Sequence, residues 1–163
     1  MAKYFFDTSA LVKYYHAESG TAVVSAIFAE LCSQIRISTL GLLETQSAFA
    51  MKVRSGFLDH QSAGAFRARL MLDVASDVVQ PYTVTDDHFD AAERLIGRYA
   101  FSLKLRSMEA LQLAVALDLK EQGLVDQFVA ADKALLDVAA LAGFSVVNPE
   151  VSEQSQESRR TSL

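Results

Sequence analysis

Lys3-Tyr4-Phe5-Phe6-Asp7-Thr8-Ser9-Ala10-Leu11-Val12-Lys13-Tyr14 is the stretch whose reading decides the fold. Lys3–Phe6 reads as a compact strand, since aromatic residues suit the pleated surface of a sheet. Asp7 breaks that run, and Ser9–Tyr15 has the makings of a short helix. Outward from this unit, short apolar runs keep alternating with longer helical ones. Thr21–Ser33 reads as a helix and Ile35–Ser38 as a brief strand. Leu40–Ser55 is helical, with apolar residues at 42, 43, 49, 50 and 53. Gln61–Ser76 is a further helix, followed by a short strand around Val78–Val79. Thr83–Asp87 looks like a helix start leading into Phe89–Tyr99. Met108–Glu121 is a strong helix ended by Gly123. Phe128–Val129 is a short strand, Lys133–Ala142 a helix closed by Gly143, and Phe144–Val147 a last strand before Asn148-Pro149. Strands separated by helices predict an α/β fold, with a parallel sheet covered on both faces. In such sheets function collects just beyond the carboxyl ends of the strands.

Composition bounds the possibilities. The 163 residues suit one domain, expected over 1–150, with a polar tail at 151–163 rich in Ser, Glu, Gln and Arg. Hydrophobic residues make up 51% of the chain, enough to bury a real core. One Cys excludes a disulfide framework or a cysteine-based zinc site, and points to a reducing compartment. The longest apolar run falls well short of a membrane span, and Asp7 arrives too early for a signal-peptide core, so a cytoplasmic protein is expected. The net charge of −5 argues at first sight against a nucleic-acid partner.

The positions of four acids are more informative than their number. Asp7 follows the first strand and Asp132 the strand at Phe128–Val129. Glu44 lies near the start of the helix after the second strand, and Glu109 in the first turn of the helix near Ser107. All four are expected at one end of the sheet. Each also has a structural reading: Asp7 and Asp132 as helix N-caps, Glu44 and Glu109 as complements to helix dipoles. Glu109 stands out, because its helix is apolar at 108, 110, 111, 113, 114, 115 and 117. A carboxylate there needs a cation or a wet cleft. Converging carboxylates repel unless a divalent cation sits among them, and an all-oxygen set suits Mg²⁺ or Mn²⁺ rather than zinc. His16, His60 and His88 lack metal-ligand spacing.

Four blocks carry a family resemblance: Tyr4-Phe5-Phe6-Asp7-Thr8-Ser9-Ala10-Leu11-Val12-Lys13-Tyr14, Ile37-Ser38-Thr39-Leu40-Gly41-Leu42-Leu43-Glu44, Leu105-Arg106-Ser107-Met108-Glu109-Ala110-Leu111-Gln112-Leu113-Ala114 and Phe128-Val129-Ala130-Ala131-Asp132-Lys133-Ala134-Leu135. In this order the chain resembles PIN-domain proteins, in particular the VapC-like toxins of type II toxin–antitoxin systems. The resemblance implies a three-layer α/β/α PIN-like fold with a central, mainly parallel sheet. It implies a metal-dependent endoribonuclease with Asp7, Glu44, Glu109 and Asp132 as the acidic Mg²⁺ (or Mn²⁺) site, and Ser9 as its support. It also implies a homodimer silenced by a small antitoxin. The third block departs from the family pattern, which more often has Asp in place of Glu109 and His in place of Gln112.

RNA contacts are expected from Lys13, Lys104 and Arg106, the last two within Arg94–Arg106, which holds four basic and no acidic residues. Setting aside the four site acids and the tail's Glu153, Glu157, Arg159 and Arg160 leaves 14 acids against 13 bases, so the remaining surface is near neutral. Two other readings remain open: a non-catalytic PIN-like module that binds RNA or protein through a weakened metal site, and a phosphatase or receiver using Asp7 as nucleophile.

Overall fold

The computed structural model describes residues 2–151. The segment 152–163 of the expected polar tail lies outside the described residues. The elements run β1 (Lys3–Phe6), α1 (Thr8–Tyr15), α2 (Thr21–Ala29), β2 (Gln34–Ser38), α3 (Thr39–Arg54), α4 (His60–Ala75), β3 (Val79–Tyr82), α5 (Asp86–Leu95), a π-helical stretch (Ile96–Ala100), α6 (Ser107–Glu121), β4 (Gln127–Val129), α7 (Lys133–Leu141) and β5 (Ser145–Val147). The five strands form one parallel sheet in the order β3-β2-β1-β4-β5.

Strand alternation sorts the core into two layers. Phe5 and Phe128 point to one face, where their rings stack 5.5 Å apart under α5, α6 and α7. Tyr4, Phe6, Ile35, Ile37 and Val129 point to the other, against α1, α2, α3 and α4. The result is the expected three-layer α/β/α architecture. Arg36 also points to the α5–α7 side and is buried. Its guanidinium donates to the Leu124 carbonyl (2.6 Å) and to Gln34 (2.7 Å), which offsets the cost of burying it.

Local differences from the expected elements have identifiable causes. The helix expected over Thr21–Ser33 ends at Ala29, because Glu30 turns extended and Cys32 is left-handed (φ 64°). The expected strand at Val78–Val79 instead runs Val79–Tyr82 through Pro81, which an edge strand tolerates. The helix expected through Tyr99 changes to π geometry at Ile96. Gly123 (φ 70°) and Gly143 (φ 94°) end α6 and α7 as expected, in a backbone region that penalises other residues.

The order in which strands are added reverses at β1: β2 and β3 lie on one side, β4 and β5 on the other. The gap between the ends of β1 and β4 is therefore a topological switch point, where open α/β sheets bind ligands.

Candidate metal centre

Asp7 occupies that gap. Extended backbone at Asp7 (φ −73°, ψ 155°) ends β1 and makes its carboxylate the N-cap of α1. Oδ2 accepts from the Ser9 amide (3.0 Å) and from the Ser9 hydroxyl (2.6 Å). The Ser9 Oγ in turn accepts from the Ala131 amide (3.0 Å), and the Asp7 amide donates to the Val129 carbonyl (2.9 Å). Two short side chains thus tie the carboxyl ends of β1 and β4 together. Burial pushes the Asp7 carboxyl above its ordinary value; the Ser9 donors oppose this and the Glu109 charge adds to it.

The support from Ser9 is testable. Removing its hydroxyl leaves the Ala131 N–H without this acceptor and strips a donor from a buried carboxylate. Ser9→Ala is expected to cost about 2 kcal/mol in urea-induced unfolding. A change below a few tenths of that would mean the bridge does not hold the strand ends.

Glu44 enters from the second turn of α3, which Ser38 caps through the Gly41 amide (2.8 Å). Its Oε2 accepts from the Thr8 hydroxyl (3.2 Å) and from Gln112 Nε2, which also donates to Thr8 Oγ1 (3.2 Å). Burial raises the Glu44 pKa; Thr8 and Gln112 oppose the shift, while the charges of Asp7 and Glu109 reinforce it. Glu109, 8% exposed, is the third residue of α6 and accepts the Arg106 amide at Oε2 (2.9 Å). Its Oε1 takes the Arg106 guanidinium through Nε (2.9 Å) and Nη2. Asp132 caps α7 through the Leu135 amide (3.1 Å), and its Oδ2 lies 3.9 Å from Arg106 Nη2.

Asp7, Glu44 and Glu109 therefore sense one another's charge, and Asp132 joins them through Arg106. Asp7 and Asp132 fill the expected capping roles and Glu109 lies in the first turn of α6, whereas Glu44 sits one turn too far into α3 to complement its dipole. The donors are all oxygen, which suits a hard divalent cation, and a cation would offset the burial and mutual repulsion that raise Asp7 and Glu44. Among the described residues, however, no three carboxylate, His or Cys side chains converge as a ready-made metal cage. Protein donors hold the acids instead: Gln112 and Thr8 on Glu44, Arg106 on Glu109. Sequence reasoning missed Thr8 and the pairing of Arg106 with Glu109. Thr8 was visible only as the neighbour of Asp7, and Arg106 only as an RNA contact in the basic stretch Arg94–Arg106.

Lys13 does not face this gap. It is 5% exposed, and its ammonium is bound by Glu18 (3.1 Å) and Glu150 (2.8 Å) rather than free for a phosphate. Lys104 and Arg106 are exposed, as are Arg94 and Arg98. Tyr14 stacks on Phe28 (3.7 Å between centroids) and the buried Tyr15 donates to Asp73 (3.0 Å), so both are packing residues. His88 is likewise structural: one ring nitrogen accepts the Thr85 amide (2.9 Å) and the other meets Asp118 (3.1 Å).

Residues 4–141 match the PIN domain family. Among solved structures, VapC20 of Mycobacterium tuberculosis, a sarcin–ricin loop cleaving toxin, superposes with a TM-score of 0.64 at 22% identity, covering 90% of this chain and 99% of that one. FitAcB from Neisseria gonorrhoeae gives 0.63 at 11% identity, covering 90% and 97%. VapBC2 from Rickettsia felis, bound to a fragment of its promoter DNA, gives 0.57 at 13% identity, covering 89% and 97%. These likenesses show a shared fold. No curated protein sequence matches the chain significantly. No helix among the described residues is long and apolar enough to cross a membrane. With a family match spanning all four acids and a parallel sheet that gathers them at its switch point, the chain belongs to the PIN domain family.

Proposed function

We propose that the protein is a divalent-metal-dependent endoribonuclease and the toxin of a VapBC-type toxin–antitoxin pair. The observation that carries this reading is the electrostatic cluster of Asp7, Glu44 and Glu109, with Asp132 bridged to it by Arg106, at the switch point of a PIN-family sheet. PIN-family nucleases use divalent ions, and Asp7, Glu44, Glu109 and Asp132 are the residues that would hold Mg²⁺ or Mn²⁺ here. Such an ion, when bound, supplies polarisation of the scissile phosphate and a lowered pKa for an attacking water.

The chain's own residues supply the rest. Asp7 is fixed by Ser9, so its carboxylate needs little reorganisation to act as a ligand. Thr8 and Gln112 orient Glu44. Lys104 and Arg106 would form the basic flank that attracts the RNA backbone, whereas Arg94 and Arg98 line a different cavity, with Asp87, Asp118 and Glu121. Lys104→Gln is expected to weaken RNA binding and to flatten the slope of log affinity against log salt by about 0.7. An unchanged slope would remove Lys104 from the RNA path.

Toxin–antitoxin assemblies among the structural neighbours support a small antitoxin as partner, and a homodimer is proposed with it. One specific observation favours a second reading, a PIN-like binding module without activity: the acids are bonded to protein donors instead of forming a ready-made cage. Cleavage of a panel of structured and unstructured RNAs, with Mn²⁺ or Mg²⁺ and with EDTA, separates the two. Metal-dependent, EDTA-sensitive cleavage supports the ribonuclease. RNA binding without cleavage under any metal would favour the module.

A further inference from the structure

Arg106 stands out because it is an exposed cation laid over a buried acid. Its side chain is 67% exposed, whereas that of Glu109 is 10% exposed. The guanidinium contributes Nε (2.9 Å) and Nη2 to the same oxygen, Glu109 Oε1. Nη2 also approaches Asp132 Oδ2 (3.9 Å), and the guanidinium senses the Asp7 charge. The Arg106 backbone N–H takes the other Glu109 oxygen (2.9 Å), independently of the side chain. Glu109 Oε1 therefore already holds two donors, and the guanidinium charge competes with any cation for that oxygen.

Leaving is chemically easy. The Arg106 side chain hangs from the first residue before α6, mostly in solvent, so its rotation displaces no core. Arginine stays charged at any working pH, so it cannot yield to a metal by losing a proton. A divalent cation at the acids would repel it, and the nearest complementary anion would be a backbone phosphate of RNA entering the same gap.

On the ribonuclease reading, we propose that Arg106 is a two-position switch for the acid site. Without metal it is the internal counter-ion of Glu109 and Asp132. When a divalent cation binds, it moves outward onto an RNA phosphate. Metal and RNA then assist each other: RNA draws off the guanidinium and frees Glu109, and metal frees the guanidinium for RNA. By linkage the two effects are equal in size.

The test is Mn²⁺ titration calorimetry on wild type, Arg106→Gln and Lys104→Gln, with and without a 2′-O-methylated single-stranded oligoribonucleotide. Without RNA, Arg106→Gln is expected to bind Mn²⁺ about fivefold tighter or more, because the competitor is gone. Lys104→Gln, which removes a nearby charge with no bond to the acids, is expected to stay within about twofold of wild type. The oligonucleotide should tighten Mn²⁺ binding in wild type and lose that effect in Arg106→Gln. The Arg106 Nε–H resonance of wild type should also shift on metal addition. Equal Mn²⁺ affinity in wild type and Arg106→Gln, or equal tightening in both variants, overturns the switch while a metal-dependent cleavage activity would still stand. No Mn²⁺ binding in any of the three proteins overturns the switch and the ribonuclease reading together.

Discussion

Asp7→Asn is expected to lower kcat/KM for metal-dependent RNA cleavage by roughly 1,000-fold or more, the loss typical when a group acting as part of a catalytic unit is removed. Asn keeps the shape and can still accept from Ser9, so the loss should come from charge and not from unfolding. The same substitution carries a stability signature. The folded pKa of Asp7 is raised above its unfolded value, chiefly by burial, with the Glu109 charge adding to it. A carboxyl raised in this way favours the folded state below its ordinary pKa of 3.8. That contribution disappears as pH rises from the ordinary value through the raised folded one, and above it the carboxyl is a net cost to the fold. In EDTA at neutral pH, Asp7→Asn should therefore melt about 2–4 °C above wild type, the shift expected from roughly 1 kcal/mol in a chain of this size. Excess Mn²⁺ should raise the wild-type Tm and leave that of the variant unmoved. Equal cleavage by both proteins would trace the activity to a contaminant, and a lower Tm for the variant in EDTA would refute the electrostatic account.

Glu18→Ala should cost about 3 kcal/mol, read as a fall in the urea midpoint at constant m-value, because it breaks an ion network around a buried ammonium. Lys13 lies in the last turn of α1, the helix that Asp7 caps, and its Nζ is held by Glu18 (3.1 Å) and Glu150 (2.8 Å). Glu18 also binds Lys52 (2.6 Å), so one carboxylate joins α1 to α3. Burial pulls the Glu18 pKa up, but the bonds from Lys52 and Lys13 outweigh it and leave it lowered. Burial pulls Lys13 down, but Glu150 and Glu18 outweigh it and leave it raised. A lowered carboxyl stabilises above its ordinary pKa of 4.5 and stops doing so as pH falls through the folded value. The raised Lys13 stabilises below its ordinary value and stops doing so only as alkaline pH passes its folded value. Both contributions are present at neutral pH. The gap between wild type and Glu18→Ala should thus be full near pH 7 and close in acid. A gap that stays constant into acid would show that the lost energy is packing and not charge.

The two networks differ in how far the sequence announced them. Asp7 and Asp132 were legible because a polar break after an aromatic or apolar strand, just before a helix, marks the carboxyl edge of a parallel sheet whatever the neighbours are. Glu109 was legible because it interrupts an otherwise apolar helix. Lys13 was misread, since a basic residue six positions after the first acid looks like a phosphate contact until the fold brings Glu150 to it across 137 positions.

Local periodicity and the position of a charge within it are short-range properties, so the sequence by itself determined the strand–helix alternation, the two-faced sheet and the edge at which the acids gather. Only the tertiary structure decided the strand order β3-β2-β1-β4-β5 and, with it, which distant side chains meet. The Ser9–Ala131 bridge spans 122 positions and the Gln112–Thr8 contact 104. Such pairings depend on how the crossovers pack helices on the sheet, and a pattern of one or two turns carries no information about them. Arg106 differs: its bond to Glu109 lies within one helical turn and is local, whereas its approach to Asp132 emerged only when the fold brought the starts of α6 and α7 together.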